Sequence, residues 1–104
     1  MISSKIKQAI NNAERYPHIT KVGVFGSYAR GDNAPTSDLD LLVDYDDSSD
    51  DFLDDLSYLL DDIERAFQGR VDYVTVPALM KPGGDEFRRA VLRDVQWVYS
   101  SSPI

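Results

Sequence analysis

The chain contains no cysteine and only one histidine, His18. The lack of cysteine excludes disulfide bonds, thiolate metal ligands and a cysteine nucleophile. A lone histidine makes no metal site, so we assign His18 a surface or packing role. No apolar run reaches the length of a membrane span, and the N-terminus lacks the apolar core of a signal peptide. These absences predict a cytoplasmic protein without membrane contact.

Basic residues are also scarce, with 11 lysines and arginines against 18 acids and a net charge of −7. Proteins that hold bare nucleic acid by its phosphates normally present a basic face. We therefore expect no stable non-specific binding to nucleic acid. An acidic balance is compatible with metal-assisted chemistry, with a basic protein partner, or with solubility alone.

With 104 residues, of which 42% are hydrophobic, the chain is long enough for one domain, 1–104, around one modest core. Apolar spacing predicts helices over 3–15, 52–67 and around 85–93, and strands over 21–25, 39–45, 70–76 and 95–99. This alternation is typical of an α/β domain with helices packed on a small sheet. The spacing leaves the strand directions open.

Several element ends have their own sequence signals. Ser48 or Ser49 offers an N-cap to the long helix, and Gly69 stands where its C-cap belongs. Pro77 is expected to close the third strand. The tail, 100–104, is expected to fray.

The stretch from Asp44 to Asp55 contains seven aspartates. Such a density of acids suggests a calcium loop, but the spacing lacks the central glycine and terminal glutamate of an EF-hand. We interpret the stretch as a solvated loop followed by a helix N-terminus that negative charge stabilises.

The segment 25–43 contains the residues that suggest chemistry. Gly26 and Ser27 follow a strand and open a short helical turn. Glycine lets a phosphate approach the backbone closely, while the helix N-terminus and the Ser27 hydroxyl donate hydrogen bonds to anionic oxygens. Arg30, one turn later, is placed to meet a phosphate or a neighbouring acid.

Asp38 and Asp40 stand two residues apart at the start of the second strand, so both point to one face of the sheet. Like charges this close repel each other unless a cation lies between them. Mg²⁺ prefers such hard oxygen ligands and shares them with substrate phosphates. A third carboxylate normally completes such a site, and Asp72 is the candidate, because it is the isolated acid of a third strand that we expect to be buried. We therefore expect the two acid-bearing strands to be neighbours.

Each of these features has an ordinary structural explanation when taken alone. Gly-Ser turns are common, and acids at strand ends are often simply solvated. Arg30 would equally pair with Asp32 or Asp38, and Asp72 would pair with Arg30 or Arg70. The fixed gap between the turn and the acids, together with a third acid on a later strand, favours a functional site.

Taken together, the run Gly26–Gly31 followed by Ser37–Val43 resembles the signature of the polymerase-β-like nucleotidyltransferase superfamily. The short chain is most similar to the minimal nucleotidyltransferase (MNT) branch. This resemblance implies an α/β fold with a small mixed β-sheet and helices packed against it. It also implies nucleotide binding by Gly26, Ser27, Arg30 and Ser37, and catalytic, Mg²⁺-binding roles for Asp38, Asp40 and Asp72.

The resemblance further implies a function. MNT proteins pair with HEPN-domain toxins, so we expect an antitoxin of a type VII pair that transfers AMP from ATP to a tyrosine of the toxin. Two Mg²⁺ ions are expected as cofactors, and no appended substrate-binding domain is evident, which implies that a partner supplies the acceptor. Two alternatives remain: a non-catalytic binding antitoxin with a vestigial nucleotide site, and a small-molecule nucleotidyltransferase whose partner provides the pocket.

Overall fold

The computed structural model describes residues 2–101 of the chain. The elements follow in the order α1 (Ser4–Asn11), a 3-10 helix (Asn12–Arg15), β1 (Ile19–Phe25), α2 (Ser27–Arg30), β2 (Leu39–Tyr45), α3 (Asp51–Phe67), β3 (Val71–Thr75), α4 (Val76–Leu79), α5 (Asp85–Asp94) and β4 (Gln96–Ser100). Of the tail that was expected to fray, Ser100 ends β4, and residues 102–104 lie outside the described residues.

The four strands form one mixed sheet in the order β3-β2-β1-β4. β1 runs antiparallel to both β2 and β4, whereas β2 and β3 are parallel. A parallel pair requires a crossover connection, and α3 supplies it. The mixed sheet and the adjacency of the two acid-bearing strands are both confirmed.

Helices cover both faces of the sheet. Consecutive residues of a strand point to opposite faces, so Leu41 and Leu42 of β2 enter different cores. The Leu41 core is the larger and is filled by α1 and α3, for example by Ile10 and Leu59. The Leu42 core is small and receives side chains from α4 and α5. Within residues 2–101, no helix is both long and apolar enough to cross a membrane.

The first two elements differ from their predicted ranges. The helix predicted over 3–15 is α-helical only to Asn11 and then tightens into the 3-10 helix. Pro17 disfavours a helical conformation at Tyr16, which is extended, so the helical segment cannot continue through it. β1 begins at Ile19 rather than at residue 21, because Ile19 pairs with Tyr45 of β2.

Both predicted caps of the long helix were displaced. α3 begins at Asp51 with Asp50 as its N-cap, and Ser49 instead accepts a hydrogen bond from the Asp51 N–H at 3.0 Å. The helix ends at Phe67, and its C-cap Gln68 adopts the left-handed conformation with φ 58°. The residue after a helix reverses the chain in this conformation, and here Gln68 takes the role predicted for Gly69.

Pro77 does not simply close a strand. It lies in the first turn of α4, a helix that the periodicity did not predict. Proline is accepted there because the N–H that it lacks has no partner within the helix. The Thr75 hydroxyl caps this turn by accepting from the Ala78 N–H at 3.3 Å.

Candidate active site

The predicted carboxylates meet where β2 and β3 begin. Asp40 and Asp72 are direct partners in the parallel register, and Asp38 precedes Asp40 by two residues. Leu42 and Val74 stand two residues after Asp40 and Asp72 and therefore point to the same face of the sheet. Both belong to the smaller core on the α5 side. The carboxylate cluster (Asp38, Asp40 and Asp72) therefore lies on that face of the sheet.

The Gly-Ser turn (Gly26 and Ser27) is held against this cluster. Gly26 has φ 74° and ψ −152°, a conformation essentially restricted to glycine. A Cβ atom at this position would lie 2.5 Å from Asp40 Oδ2, so only glycine permits the close approach. The turn then enters α2, which ends at Gly31 in the left-handed conformation.

A cavity of about 320 Å³ separates the Gly-Ser turn from α5. Four predicted site residues line it: Gly26, Ser27, Arg30 and Asp40. The opposite wall is formed by α5, with the exposed ring of Phe87 and the carboxylate of Asp94. A larger depression on the outer side of α5, between Arg89 and Arg93, contains none of the predicted site residues.

Arg30 is held by two acids. Its Nε lies 3.1 Å from Asp32 Oδ2, and its Nη1 lies 2.7 Å from Asp94 Oδ2. These hydrogen bonds raise the pKa of Arg30 above its usual value. Pairing with Asp32 was one alternative anticipated from the sequence, whereas pairing with Asp94 was not.

Arg70 bridges the outer members of the carboxylate cluster. Its Nε lies 3.7 Å from Asp38 Oδ2 and 3.2 Å from Asp72 Oδ1, so one guanidinium contacts both carboxylates. The ion pair between Asp72 and Arg70 therefore exists, but the expectation of a buried Asp72 was wrong. Its side chain is 46% exposed because β3 is an edge strand.

Asp40 occupies the most demanding electrostatic position of the cluster. Burial raises the pKa of Asp40 above its ordinary 3.8, and the negative charges of Asp72 and Asp38 raise it further. The positive charge of Arg30 opposes this effect. The repulsion from these two carboxylates outweighs the attraction of Arg30, so negative charge is in excess around Asp40.

This imbalance is the basis for testing whether the cluster suits a divalent cation. As the side chains stand, residues 2–101 contain no group of three or more His, Cys, Asp or Glu side chains close enough to hold a metal ion. The Arg70 Nε contacts the carboxylates of both Asp38 and Asp72, which a cation would otherwise bind. All three donors are hard oxygens, and Arg70 is a 73% exposed side chain that is free to move aside. The donor chemistry of the three carboxylates therefore suits Mg²⁺, whereas their geometry in this structure does not form a metal site.

Ser37 stands apart from the other predicted nucleotide-binding residues. Its hydroxyl accepts a hydrogen bond from the Ala34 N–H at 2.8 Å, and its own N–H donates to the Ala34 carbonyl at 3.0 Å. The side chain thus closes the turn that leads into β2 and does not line the cavity. Its contact with a nucleotide stays a prediction.

Three residues near the site were not singled out from the sequence: Arg70, Phe87 and Asp94. Arg70 was considered only as a possible partner of Asp72. Phe87 and Asp94 lie on the helix predicted around 85–93, where an apolar and an acidic side chain carry no distinguishing signal. Only the packing of α5 across the Gly-Ser turn brings them to the cavity.

This arrangement of a Gly-Ser turn and strand carboxylates has counterparts in known proteins. The sequence profile of the family described as nucleotidyltransferase domain matches residues 4–98, nearly the whole chain. The chain belongs to this nucleotidyltransferase family. The family resemblance inferred from the motif is thereby confirmed, as is the assignment of the chain as a nucleotidyltransferase.

Individual relatives agree with this assignment. A candidate protein adenylyltransferase of Methanocaldococcus jannaschii is 28% identical over 64 residues, which are 62% of this nucleotidyltransferase and 64% of that relative, less than two thirds of its length. The structure of a candidate minimal nucleotidyltransferase is 32% identical, with a TM-score of 0.65 and 86% of each chain covered. A toxin–antitoxin structure with AMP-PNP shares the fold at 19% identity and a TM-score of 0.65, over 96% of this chain and 76% of that one.

Proposed function

We propose that this nucleotidyltransferase transfers AMP from ATP to a tyrosine hydroxyl of a HEPN-domain toxin and thereby neutralises the toxin. One observation carries the proposal: Asp40 is flanked by Asp38 and Asp72 and faces a cavity lined by Gly26, Ser27 and Arg30. A nucleotidyl transfer needs this combination of a phosphate-binding turn and clustered acids, because the reaction develops negative charge on phosphate oxygens.

The Gly-Ser turn and Arg30 bind the triphosphate in this proposal. Gly26 lets phosphate oxygens approach the backbone, and the Ser27 hydroxyl donates a hydrogen bond to one of them. The Arg30 guanidinium lines the same cavity and supplies a fixed positive charge. The Phe87 ring, 53% exposed at the cavity wall, provides an apolar surface for the nucleoside.

The carboxylate cluster would hold two Mg²⁺ ions, with Asp38, Asp40 and Asp72 as the protein ligands. When bound, such ions neutralise phosphate charge and lower the pKa of an attacking hydroxyl. Arg70 would have to leave Asp38 and Asp72 for the ions to bind there. Asp40 would stay in place beside the Gly-Ser turn, because its Oδ2 lies close to Gly26.

The transfer forms a bond between the tyrosine oxygen and the α-phosphorus and breaks the bond from the α-phosphorus to the oxygen that bridges to the β-phosphorus. Pyrophosphate leaves with the electron pair of the broken bond. The hydroxyl proton passes to a carboxylate, and Asp72 is placed for this task because it lies half-exposed on an edge strand. A side chain of an incoming protein reaches an edge strand more easily than the centre of a sheet.

The structural relatives support a toxin as acceptor. One neighbour is a toxin–antitoxin complex with AMP-PNP, and another holds a tri-AMPylated HEPN toxin of Shewanella oneidensis with its MNT antitoxin. The relative from Methanocaldococcus jannaschii is named for protein adenylylation. The net charge of −7 also suits association with a basic partner.

The experiment uses two forms of labelled ATP. The purified protein is incubated with Mg²⁺ and a HEPN-domain protein encoded by the neighbouring gene. ATP labelled on the α-phosphate should label the HEPN protein, whereas ATP labelled on the γ-phosphate should not, because pyrophosphate is released. Mass spectrometry should then find the added AMP on tyrosine.

Two variants and three outcomes make this experiment decisive. Asp40→Asn should abolish labelling, while Asp44→Asn, further along the same strand, should retain it. Toxin neutralisation by Asp40→Asn without labelling would instead indicate a binding antitoxin with a vestigial site. Label in a small metabolite would indicate a small-molecule nucleotidyltransferase, and label from the γ-phosphate would indicate a kinase.

A further inference from the structure

α5 contributes one acid to the lining of the cavity, Asp94, which is the last residue of the helix. Its side chain is 8% exposed, far less than the 61% of Asp32, the other acid that binds Arg30. Asp94 Oδ2 accepts from Arg30 Nη1 at 2.7 Å, and Oδ1 accepts from Arg93 Nε at 3.1 Å. Each oxygen of this carboxylate is therefore bound to one arginine.

The position of Asp94 is unfavourable for an acid without these partners. The C-terminal end of a helix carries partial negative charge, which disfavours a carboxylate. Little exposure removes most of the water that would otherwise solvate it. Arg93 is a 70% exposed neighbour on the same helix, so the contact that crosses the cavity is the one to Arg30.

A second contact joins the same parts of the fold. Gln96, at the start of β4, donates from Nε2 to the Ala29 carbonyl at 2.7 Å. Asp94 and Gln96 thus hold two successive residues of α2, the short helix that follows the Gly-Ser turn. The junction of α5 and β4 is therefore hydrogen-bonded to the short helix that contains Arg30.

We propose that Asp94 is a positioning residue that holds the Arg30 guanidinium at the cavity, so that its remaining N–H donors face the triphosphate of ATP. The inference rests on the proposed function, because it assigns Arg30 a nucleotide. A guanidinium has five N–H donors in a rigid plane, and fixing Nη1 on Asp94 also fixes the direction of the others. Asp32 binds the same guanidinium at Nε, but its side chain is 61% exposed, so we expect it to constrain the guanidinium less than Asp94 does.

The direction in which ATP affinity changes when Asp94 is neutralised distinguishes positioning from electrostatic repulsion. A carboxylate near the triphosphate repels it, so removal of the Asp94 charge would by itself strengthen ATP binding. Positioning predicts the opposite result, because Arg30 loses its orientation. A purely structural role predicts a lower melting temperature and an unchanged affinity of the folded protein.

The test is calorimetric titration of the full chain with Mg-ATP, well below the melting temperature of each variant. Asp94→Asn should raise the Kd about tenfold, the loss of one hydrogen bond to a charged group. Arg30→Lys, at a 43% exposed position that tolerates the change, should weaken binding similarly because lysine keeps the charge but not the rigid plane. Asp32→Asn and Arg93→Gln, which alter the other two ion pairs, should each stay within about twofold of the unmodified protein.

A double-mutant cycle completes the test. In an Arg30→Gln background, Asp94→Asn should no longer raise the Kd, because Asp94 favours ATP binding only through Arg30. Unchanged or tighter binding by Asp94→Asn, or unchanged binding by Arg30→Lys, would overturn the inference while leaving the proposed function intact. A protein without substitutions that does not bind Mg-ATP would overturn both.

Discussion

Asp40 and Asp72 stand directly opposite each other on the two parallel strands of the sheet. Two acids at facing positions do not stabilise a sheet, because their like charges repel each other. Burial raises the pKa of Asp40 most, and the negative charge of Asp72 raises it further, by more than that of Asp38. We nevertheless expect their substitutions to have different effects, because Asp40 lies against the Gly-Ser turn and Asp72 lies on an edge strand.

Replacement of Asp72 by asparagine should separate catalysis from binding. The variant keeps the size of the side chain and should bind Mg-ATP within about tenfold, or about 1.4 kcal/mol. Its rate of AMP transfer should fall at least about a hundredfold, because a group that accepts the hydroxyl proton is lost. Asp38→Ala should lose both binding and transfer. A lower melting temperature for Asp72→Asn with normal transfer would show that Asp72 serves only its ion pair with Arg70.

Neutralising Asp40 should stabilise the metal-free protein. Its pKa is raised in the fold, so the folded state prefers the protonated form. The resulting stabilisation is present below the unfolded pKa and is lost as the pH rises through the folded pKa. Asp40→Asn should therefore melt at a higher temperature than the unmodified protein at pH 7, and the difference should vanish below about pH 4.

Calorimetry in EDTA between pH 4 and pH 8 measures this difference. Addition of Mg-ATP at pH 7 should make the unmodified protein the one with the higher melting temperature. Only the unmodified protein binds Mg-ATP, and binding stabilises the folded state. Equal melting temperatures in EDTA at neutral pH would contradict the prediction that Asp40 is a source of instability.

A methyl group at Gly26 should damage the site. Alanine would place its Cβ 2.5 Å from Asp40 Oδ2 and would be strained at φ 74°. We expect Gly26→Ala to cost about 1–3 kcal/mol of folding free energy and to abolish transfer, because either the turn or Asp40 must move. The measurements are urea unfolding and the labelling assay.

Gly31→Ala is the matched control for this prediction. Gly31 also has positive φ, at 83°, but a Cβ there would meet nothing within 4 Å. It should lose about 1 kcal/mol of stability from backbone strain and keep its transfer activity. Equal activity of the two alanine variants would show that the close approach of Gly26 to Asp40 has no functional importance.

Removal of Arg70 should strengthen the binding of a divalent cation without nucleotide. Its guanidinium lies between Asp38 and Asp72 and competes with the ion for both. The pairs are exposed, so Arg70→Gln should tighten binding only by about twofold to fivefold. Titration with Mn²⁺, followed by electron paramagnetic resonance, measures this change. Arg65→Gln, which breaks an exposed pair with Asp62, should leave the affinity unchanged, and weaker binding by Arg70→Gln would contradict the competition.

Most of the regular structure was predictable from apolar spacing. The stripe of α3 and the period of β2 are local patterns, so their positions are close to those observed. Helix ends were less predictable. Gln68 rather than Gly69 adopts the left-handed conformation, and Asp50 rather than a serine is the N-cap, because several adjacent residues are acceptable at such positions.

The short helix α4 escaped prediction for a related reason. Val76 and Pro77 look like the end of a strand, and four residues are too few to show a helical period. Its only local signal is Thr75, whose hydroxyl caps the turn. The helix forms because Leu79 is buried with Leu42 and Val91, a contact that no local pattern shows.

The sequence by itself determined the family, the alternation of helices and strands, and the candidate residues of the Gly-Ser turn and the carboxylate cluster. These depend on short-range spacing, since two residues in a strand share a face and a glycine after a strand opens a turn. Tertiary structure alone decided that Asp72 faces Asp40 from a half-exposed edge strand, that Arg70 bridges the cluster, and that Asp94 reaches Arg30. The physical reason is distance along the chain: these contacts join residues brought together only by the packing of strands and helices, and nothing in the spacing of nearby residues encodes that packing.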